Sequence, residues 1–118
     1  MRIRAGLAAI TIAALLAVPV SAATYPRLIG TVGFGVITLK DERGRTVKTL
    51  KAGRYSLVVV DSSNVQNFHL RGPSINLFTG AAFKGTRAWT VNFRRGTTVK
   101  YLSDRAPKTL RGSFTIKR

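Results

Sequence analysis

Residues 86–103 read TRAWTVNFRRGTTVKYLS. On both sides of Arg94-Arg95-Gly96 the polar and apolar side chains alternate, and a period of two marks a strand with one covered face. In Thr86 to Phe93, the residues Trp89, Val91 and Phe93 share the apolar side. In Thr97 to Ser103, Val99, Tyr101 and Ser103 share one side while Lys100 takes the other. The stretch predicts two strands joined through Arg94-Arg95-Gly96 as a tight hairpin.

The same period continues outward in both directions. Gly33 to Lys40 reads as a strand closed by the turn Asp41-Glu42-Arg43-Gly44, and the β-branched run Tyr55 to Val60 reads as a central strand. Val65 to Arg71 follows, then a loop from Gly72 to about Gly85 opened by Gly72-Pro73, and finally a strand from Arg111 to Lys117. Alternation places Gly112, Phe114 and Ile116 inward. It also places Gln66, Phe68 and Leu70 on the core side and Asn67, His69 and Arg71 on the outer side. About six to eight short strands without a helix beyond the first residues predict an all-β fold, a β-sandwich with Greek-key connections.

The chain begins MRIRAGLAAITIAALLAVPVSAATYP: two arginines, an apolar run from Ala5 to Val18, then Pro19 and small residues. That layout predicts a secretory signal peptide, residues 1–22, with a signal helix and cleavage after Val20-Ser21-Ala22. Residues 23–118 would then be one domain of 96 residues with a single core. The expected location is outside the cytoplasm, secreted or in the periplasm or cell envelope. With no cysteine in the chain, disulfides, Cys-ligated metals and thiol nucleophiles are excluded. The full chain carries 20 basic and 4 acidic side chains, a net +16; without Arg2 and Arg4 the balance is 18 against 4, or +14. Such a field attracts polyanions. The expected charge partners are acidic cell-envelope polymers or an anionic membrane surface, with Arg71, Arg94, Arg95, Arg105, Lys108 and Arg111 as candidate contacts. No specific nucleic-acid partner is expected, because Trp89 and Phe93 fall inward and exposed aromatic interleaving is absent. The chain is expected to be a monomer.

Several blocks, in this order and spacing, resemble a small exported bacterial cupredoxin of the plastocyanin and azurin type. They are Asn67-Phe68-His69-Leu70 with Gly72-Pro73, Phe83-x-Gly85-Thr86-x-x-Trp89-Thr90-Val91, Tyr101-x-Ser103-Asp104, and Gly112-Ser113-Phe114-Thr115. The resemblance covers roughly residues 30 to 117. It implies a cupredoxin-like sandwich and, in the family, a blue copper centre. The family's ligand positions fall here on Gln66 for the first histidine, Ser103 for the cysteine, Ala106 for the second histidine and Leu110 for the axial methionine. Asn67 matches a family residue that pins the ligand loop, and His69 matches a histidine that is not a ligand.

A blue copper centre needs a thiolate and two imidazoles. An amide, a hydroxyl and two hydrocarbons do not replace them, so the copper cofactor is expected to be lost and no metal or other cofactor to be held. Gln66 and Ser103 are expected to hydrogen-bond across the vacated position. The reading is therefore a copper-free binding or structural module, not an enzyme, with no catalytic residues. The alternative is a copper-binding or electron-transfer protein with an atypical site in which His69, the chain's one histidine, is a residual ligand. A Ser-His-Asp triad is disfavoured by the outward placement of His69, and Gly33-Phe34-Gly35 is not a phosphate loop because no helix follows it.

Overall fold

The structure, a computed structural model, describes residues 24–118. The expected leader, residues 1–22, and its signal helix lie outside the described residues. Nine strands follow in order: β1 (Arg27–Gly33), β2 (Val36–Asp41), β3 (Thr49–Leu50), β4 (Gly53–Asp61), β5 (His69–Gly72), β6 (Ile75–Phe78), β7 (Gly85–Phe93), β8 (Thr98–Leu102) and β9 (Arg111–Ile116). The described residues contain no helix, and the fold is all-β. The strands form a four-stranded sheet, β2-β1-β4-β7, and a five-stranded sheet, β3-β9-β8-β5-β6. Both are mixed: β1 runs parallel to β4 and β3 parallel to β9, while the other pairs are antiparallel.

The inner faces meet in one core that draws Leu28, Val32, Leu57, Val91 and Phe93 from the first sheet and Leu70, Val99, Tyr101, Phe114 and Ile116 from the second. Each large side chain withdrawn from water there contributes about 1.5–3 kcal/mol. Phe93 meets Phe114 edge-on across the two sheets, with ring centroids 5.4 Å apart at 87°. Phe68, at the mouth of β5, stacks on Tyr101 at 5.7 Å. The alternation assigned from sequence holds in β7, β8 and β9: Val91, Phe93, Val99, Tyr101, Ser103, Phe114 and Ile116 are buried, and Trp89 packs half-buried against them. The run Tyr55–Val60 lies within β4, which is central between β1 and β7.

Partners differ from the sequence reading in three places. The expected hairpin at Arg94-Arg95-Gly96 is an arch, because β7 pairs with β4 in one sheet and β8 with β5 and β9 in the other. Gly96, at φ 75°, donates to Ile116 O and carries the chain over the edge of the core. Two adjacent strands that both turn an apolar face inward produce the same alternation whether they lie side by side or on opposing sheets. The second difference is at the start of the chain. The expected strand Gly33–Lys40 is the second arm of a β1–β2 hairpin that turns through Phe34-Gly35, with Gly35 at φ 70°. Gly33-Phe34-Gly35 is thus a turn signal. Thirdly, the expected loop 72–85 contains β6, which folds back on β5 through Pro73-Ser74. Proline presets the first turn position, and Ser74, at φ 62°, takes the left-handed conformation at the second.

Tyr101 stands directly opposite Gly112 in the β8–β9 register and lies across it, so that a Cβ at residue 112 would overlap the Tyr101 ring. We expect Gly112→Ala to destabilise the fold by about 1–3 kcal/mol, as overpacking of a filled core does. Urea unfolding of the single variant, and of Gly112→Ala with Tyr101→Leu, checks this: the second change should recover part of the loss.

Candidate functional site

Five polar side chains are buried among the described residues: Asp61, Ser63, Asn67, Thr79 and Ser103. All five belong to one hydrogen-bonded network at one end of the sandwich. Its first part is local. Asp61 ends β4 and accepts the Ser63 N–H at 2.9 Å, and Ser63 Oγ accepts the N–H groups of Val65 and Gln66, each at 3.0 Å. Short polar side chains bonding to backbone a few residues on favour turns over strand. Residues 62–68 therefore form a loop rather than a continuation of β5.

The second part is long-range and centres on Asn67. Its Nδ2 donates to Thr79 O and to Asp104 Oδ2, both at 2.9 Å, and its Oδ1 accepts the Asp104 N–H at 2.7 Å. Its own N–H donates to Ser103 Oγ at 3.2 Å. Asn67 thus ties the 62–68 loop to the end of β6 and to the segment leaving β8. Thr79 Oγ1 accepts the Phe68 N–H at 2.9 Å and donates to Asp61 Oδ2 at 3.3 Å, closing the network. The outer placement expected for Asn67 is corrected: it is 3% exposed. Because β5 begins only at His69, no pleat governs residue 67.

Gln66, Ser103, Ala106 and Leu110, the positions singled out by the resemblance, lie on two loops at this end. Ser103, Ala106 and Leu110 occupy one loop closed on itself, with Ser103 N–H on Leu110 O at 3.0 Å, Ala106 N–H on Ser103 O at 3.1 Å and Leu110 N–H on Ala106 O at 2.8 Å. Gln66 joins them from the opposite loop. Ser103 Oγ donates to Gln66 Oε1 at 2.6 Å, the contact expected from where the resemblance placed the two residues. Leu110 is buried. As a donor set these residues do not fit a copper ion. Ser103 and Gln66 offer hard oxygens already bonded to each other, and Ala106 and Leu110 offer none.

His69 is on the outer face of β5 as assigned, yet it is far from a freely solvated surface residue. Its side chain is only 15% exposed. Nδ1 lies 2.9 Å from Asp104 Oδ1, Nε2 lies 2.6 Å from Asn76 Oδ1, and the ring packs 5.4 Å from Phe78. Asn76 and Phe78 sit on β6, the strand missed from sequence; a Pro73-Ser74 turn between two short runs was the signal for it. The histidine and Asp104 meet as two members of a triad would, but Nε2 faces an amide and Ser103 Oγ is committed to Gln66.

The two carboxylates of this end titrate in opposite directions. Burial is the largest influence on Asp61 and raises its carboxyl above the ordinary value, only partly offset by the bonds from Ser63 and Thr79. For Asp104 burial also raises, but hydrogen bonds from His69 and Asn67 and the positive charge of His69 and Arg71 outweigh it and leave the carboxyl below its ordinary value.

The candidate polyanion contacts do not share one surface. Arg71 and Arg111 stand exposed on the outer face of the five-stranded sheet, Arg94 and Arg95 on the arch before β8, and Arg105 and Lys108 in the loop after it. The sheet-face partner of Arg71 is Lys100, directly opposite it on β8. Sequence assigned Lys100 to the outer side without naming it as a contact. No family model matches the sequence, and no curated protein matches it.

Ser103→Ala leaves Gln66 Oε1 and the Asn67 N–H without their partner, and about 1–3 kcal/mol of stability should be lost in denaturant titration. The carboxylates give opposed pH profiles. Asp104, lowered in the fold, contributes stability that is complete above the ordinary carboxylate range and is lost as pH falls through and below it. Asp61, raised, carries a penalty that is absent in acid and grows as pH rises through that range. Melting temperatures followed from neutral pH into acid should therefore fall less steeply for Asp104→Asn than for the parent. Asp61→Asn should gain most, relative to the parent, at neutral pH.

Proposed function

We propose that the chain is an exported, copper-free protein of cupredoxin-like Greek-key architecture, a non-catalytic binding or structural module whose basic surface docks on polyanions outside the cytoplasm. The observation that carries the reading is the Ser103–Gln66 hydrogen bond: two positions that supply ligands in the resembling family are joined to each other. Around them the buried polar groups of the loops are paired, and a paired network has no preference for a metal that must displace its bonds. Leu110 keeps an apolar side chain packed where an axial thioether would stand, and Ala106 brings no donor. The module's remaining chemical character is its charge, 18 basic against 4 acidic side chains or +14 without Arg2 and Arg4, with two of the acidic side chains drawn into this network.

Cupric titration of the purified chain, followed by absorbance and calorimetry, tests this reading. The expected outcome is no stoichiometric tight uptake and no intense visible charge-transfer band, with the parent and His69→Ala indistinguishable. One-to-one tight binding with an intense blue band, or a defined spectrum that disappears in His69→Ala, overturns it.

A further inference from the structure

The outer face of the five-stranded sheet carries hydroxyls, an amide and cations: Thr115 and Ser113 on β9, Thr98 and Lys100 on β8, Arg71 on β5 and Asn76 on β6. No carboxylate lies on these strands; Asp104, just past β8, is held by His69 and Asn67. Arg71 and Lys100 are placed directly opposite each other. Like charges in that position repel and weaken a sheet. On β9 the partner of Lys100 is Ser113, and Arg111 stands two residues along, opposite Leu102, diagonal to the pair; none of the three forms a salt bridge among the described residues. Two shallow grooves flank the pair. One, of about 620 Å³, is lined by His69, Asn76 and Thr98 besides Arg71 and Lys100. The other, of about 430 Å³, is lined by Arg111, Ser113 and Pro107 with the same two cations. Arg71 and Lys100 therefore form a ridge shared by two troughs, which run on from β6 to β9.

We infer that this face binds a linear acidic polysaccharide, a chain of sugars bearing carboxylates, laid across the strands over the Arg71–Lys100 ridge with Arg111 as a third contact. The inference rests on the polyanion-docking part of the proposed function and gives it a place and a ligand class. Three features select the polymer. Arg71 and Lys100, in register on adjacent strands, are spaced by about 4.8 Å, comparable with the length one sugar adds to a chain, and Arg111 lies further off on the diagonal, so acidic groups along one polymer chain can meet all three. Guanidinium groups pair with carboxylates through two parallel hydrogen bonds. Beside the cations stand the hydroxyls of Thr98, Ser113 and Thr115 and the Asn76 amide, which suit sugar hydroxyls, with Leu102 and the His69 ring next to Arg111. A lipid surface would call for large exposed apolar side chains among the cations, and a nucleic acid for stacking rings there. On the outer face of this sheet the exposed ring is Phe78 at the β6 edge, which also packs against His69; it stands alone there, and no second exposed aromatic or large aliphatic side chain lies among the cations.

The test compares the full chain with two triple variants of equal charge loss, R71Q/K100Q/R111Q on the face and R94Q/R95Q/K108Q off it. The probe is polygalacturonate, with binding read by calorimetry across a salt series. The face variant should lose about tenfold in affinity and show a shallower salt dependence, as the removal of three exposed charge contacts implies, and the off-face variant less than about threefold. R71K/R111K should keep the salt dependence of the parent but lose part of its affinity, because lysine keeps the charge and not the paired hydrogen bonds, and the face variant should melt no lower than the parent because a repelling pair has been removed. Equal losses in the two triples overturn the inference, as does stronger binding of the parent to phosphatidylcholine–phosphatidylglycerol vesicles or to oligothymidine at the same salt. Amide resonances of Arg71, Lys100 and Arg111 unmoved by saturating polygalacturonate overturn it as well. A copper centre found by titration would remove the copper-free reading and leave a face-specific loss standing. Equal losses in the triples with no copper uptake would remove the face alone.

Discussion

The end of the sandwich depends on the Asn67 side-chain amide. It holds three chain segments far apart in sequence, the loop after β4, the end of β6 and the segment leaving β8, through donors and an acceptor that are each used. An amide suits this position because it supplies both kinds of group at one planar tip, whereas a carboxylate would offer no donor and a hydroxyl too short a reach. In a site only 3% exposed, each of those groups would carry a desolvation cost if left alone. The Ser103–Gln66 contact is built upon this clasp. Asn67 donates its own N–H to Ser103 Oγ and so fixes the hydroxyl whose proton goes to Gln66.

The strand faces were legible in the sequence because burial leaves a period of two wherever one side of a sheet is covered. Val91, Phe93, Val99, Tyr101 and Phe114 follow from that rule alone. Pairing was not legible to the same degree. Thr86–Phe93 and Thr97–Ser103 look like two arms of a hairpin, yet each turns its apolar side toward the other across the core, and alternation is blind to this difference. The two-residue turns at Phe34-Gly35 and Pro73-Ser74 were readable in principle, through glycine and proline preferences, but the short strands they close hide in what otherwise looks like loop. At the site, the Gln66–Ser103 contact was expected only through the resemblance, which set the two positions side by side. Asn67 was misplaced, since the rule that located its neighbours applies only inside a strand, and the Ser63 and Asp61 side chains had already diverted the backbone from one.

His69 shows the same limit from another side. Its face was correct and its environment was not, because the groups that enclose it, Asn76 and Phe78, belong to β6 and Asp104 to the loop after β8. A lone histidine on a polar face acquires meaning only from what the neighbouring strands bring beside it. The cation group is a parallel case: Arg71, Lys100 and Arg111 are separated along the chain and meet only through the β5-β8-β9 order.

The mixed pairing has a consequence for how the molecule comes into being. β9 lies between β3 and β8, pairing Leu50 with Ile116 on one side and Val99 with Phe114 on the other. During vectorial synthesis it is the last of the nine strands to emerge. Until then the larger sheet lacks the strand next to its β3 edge, and the open flanks of β3 and β8 could be filled by a strand from another molecule. Non-local pairing of this kind also slows folding. The large excess of lysine and arginine makes nascent chains repel one another, and so protects the unfinished molecule during that wait.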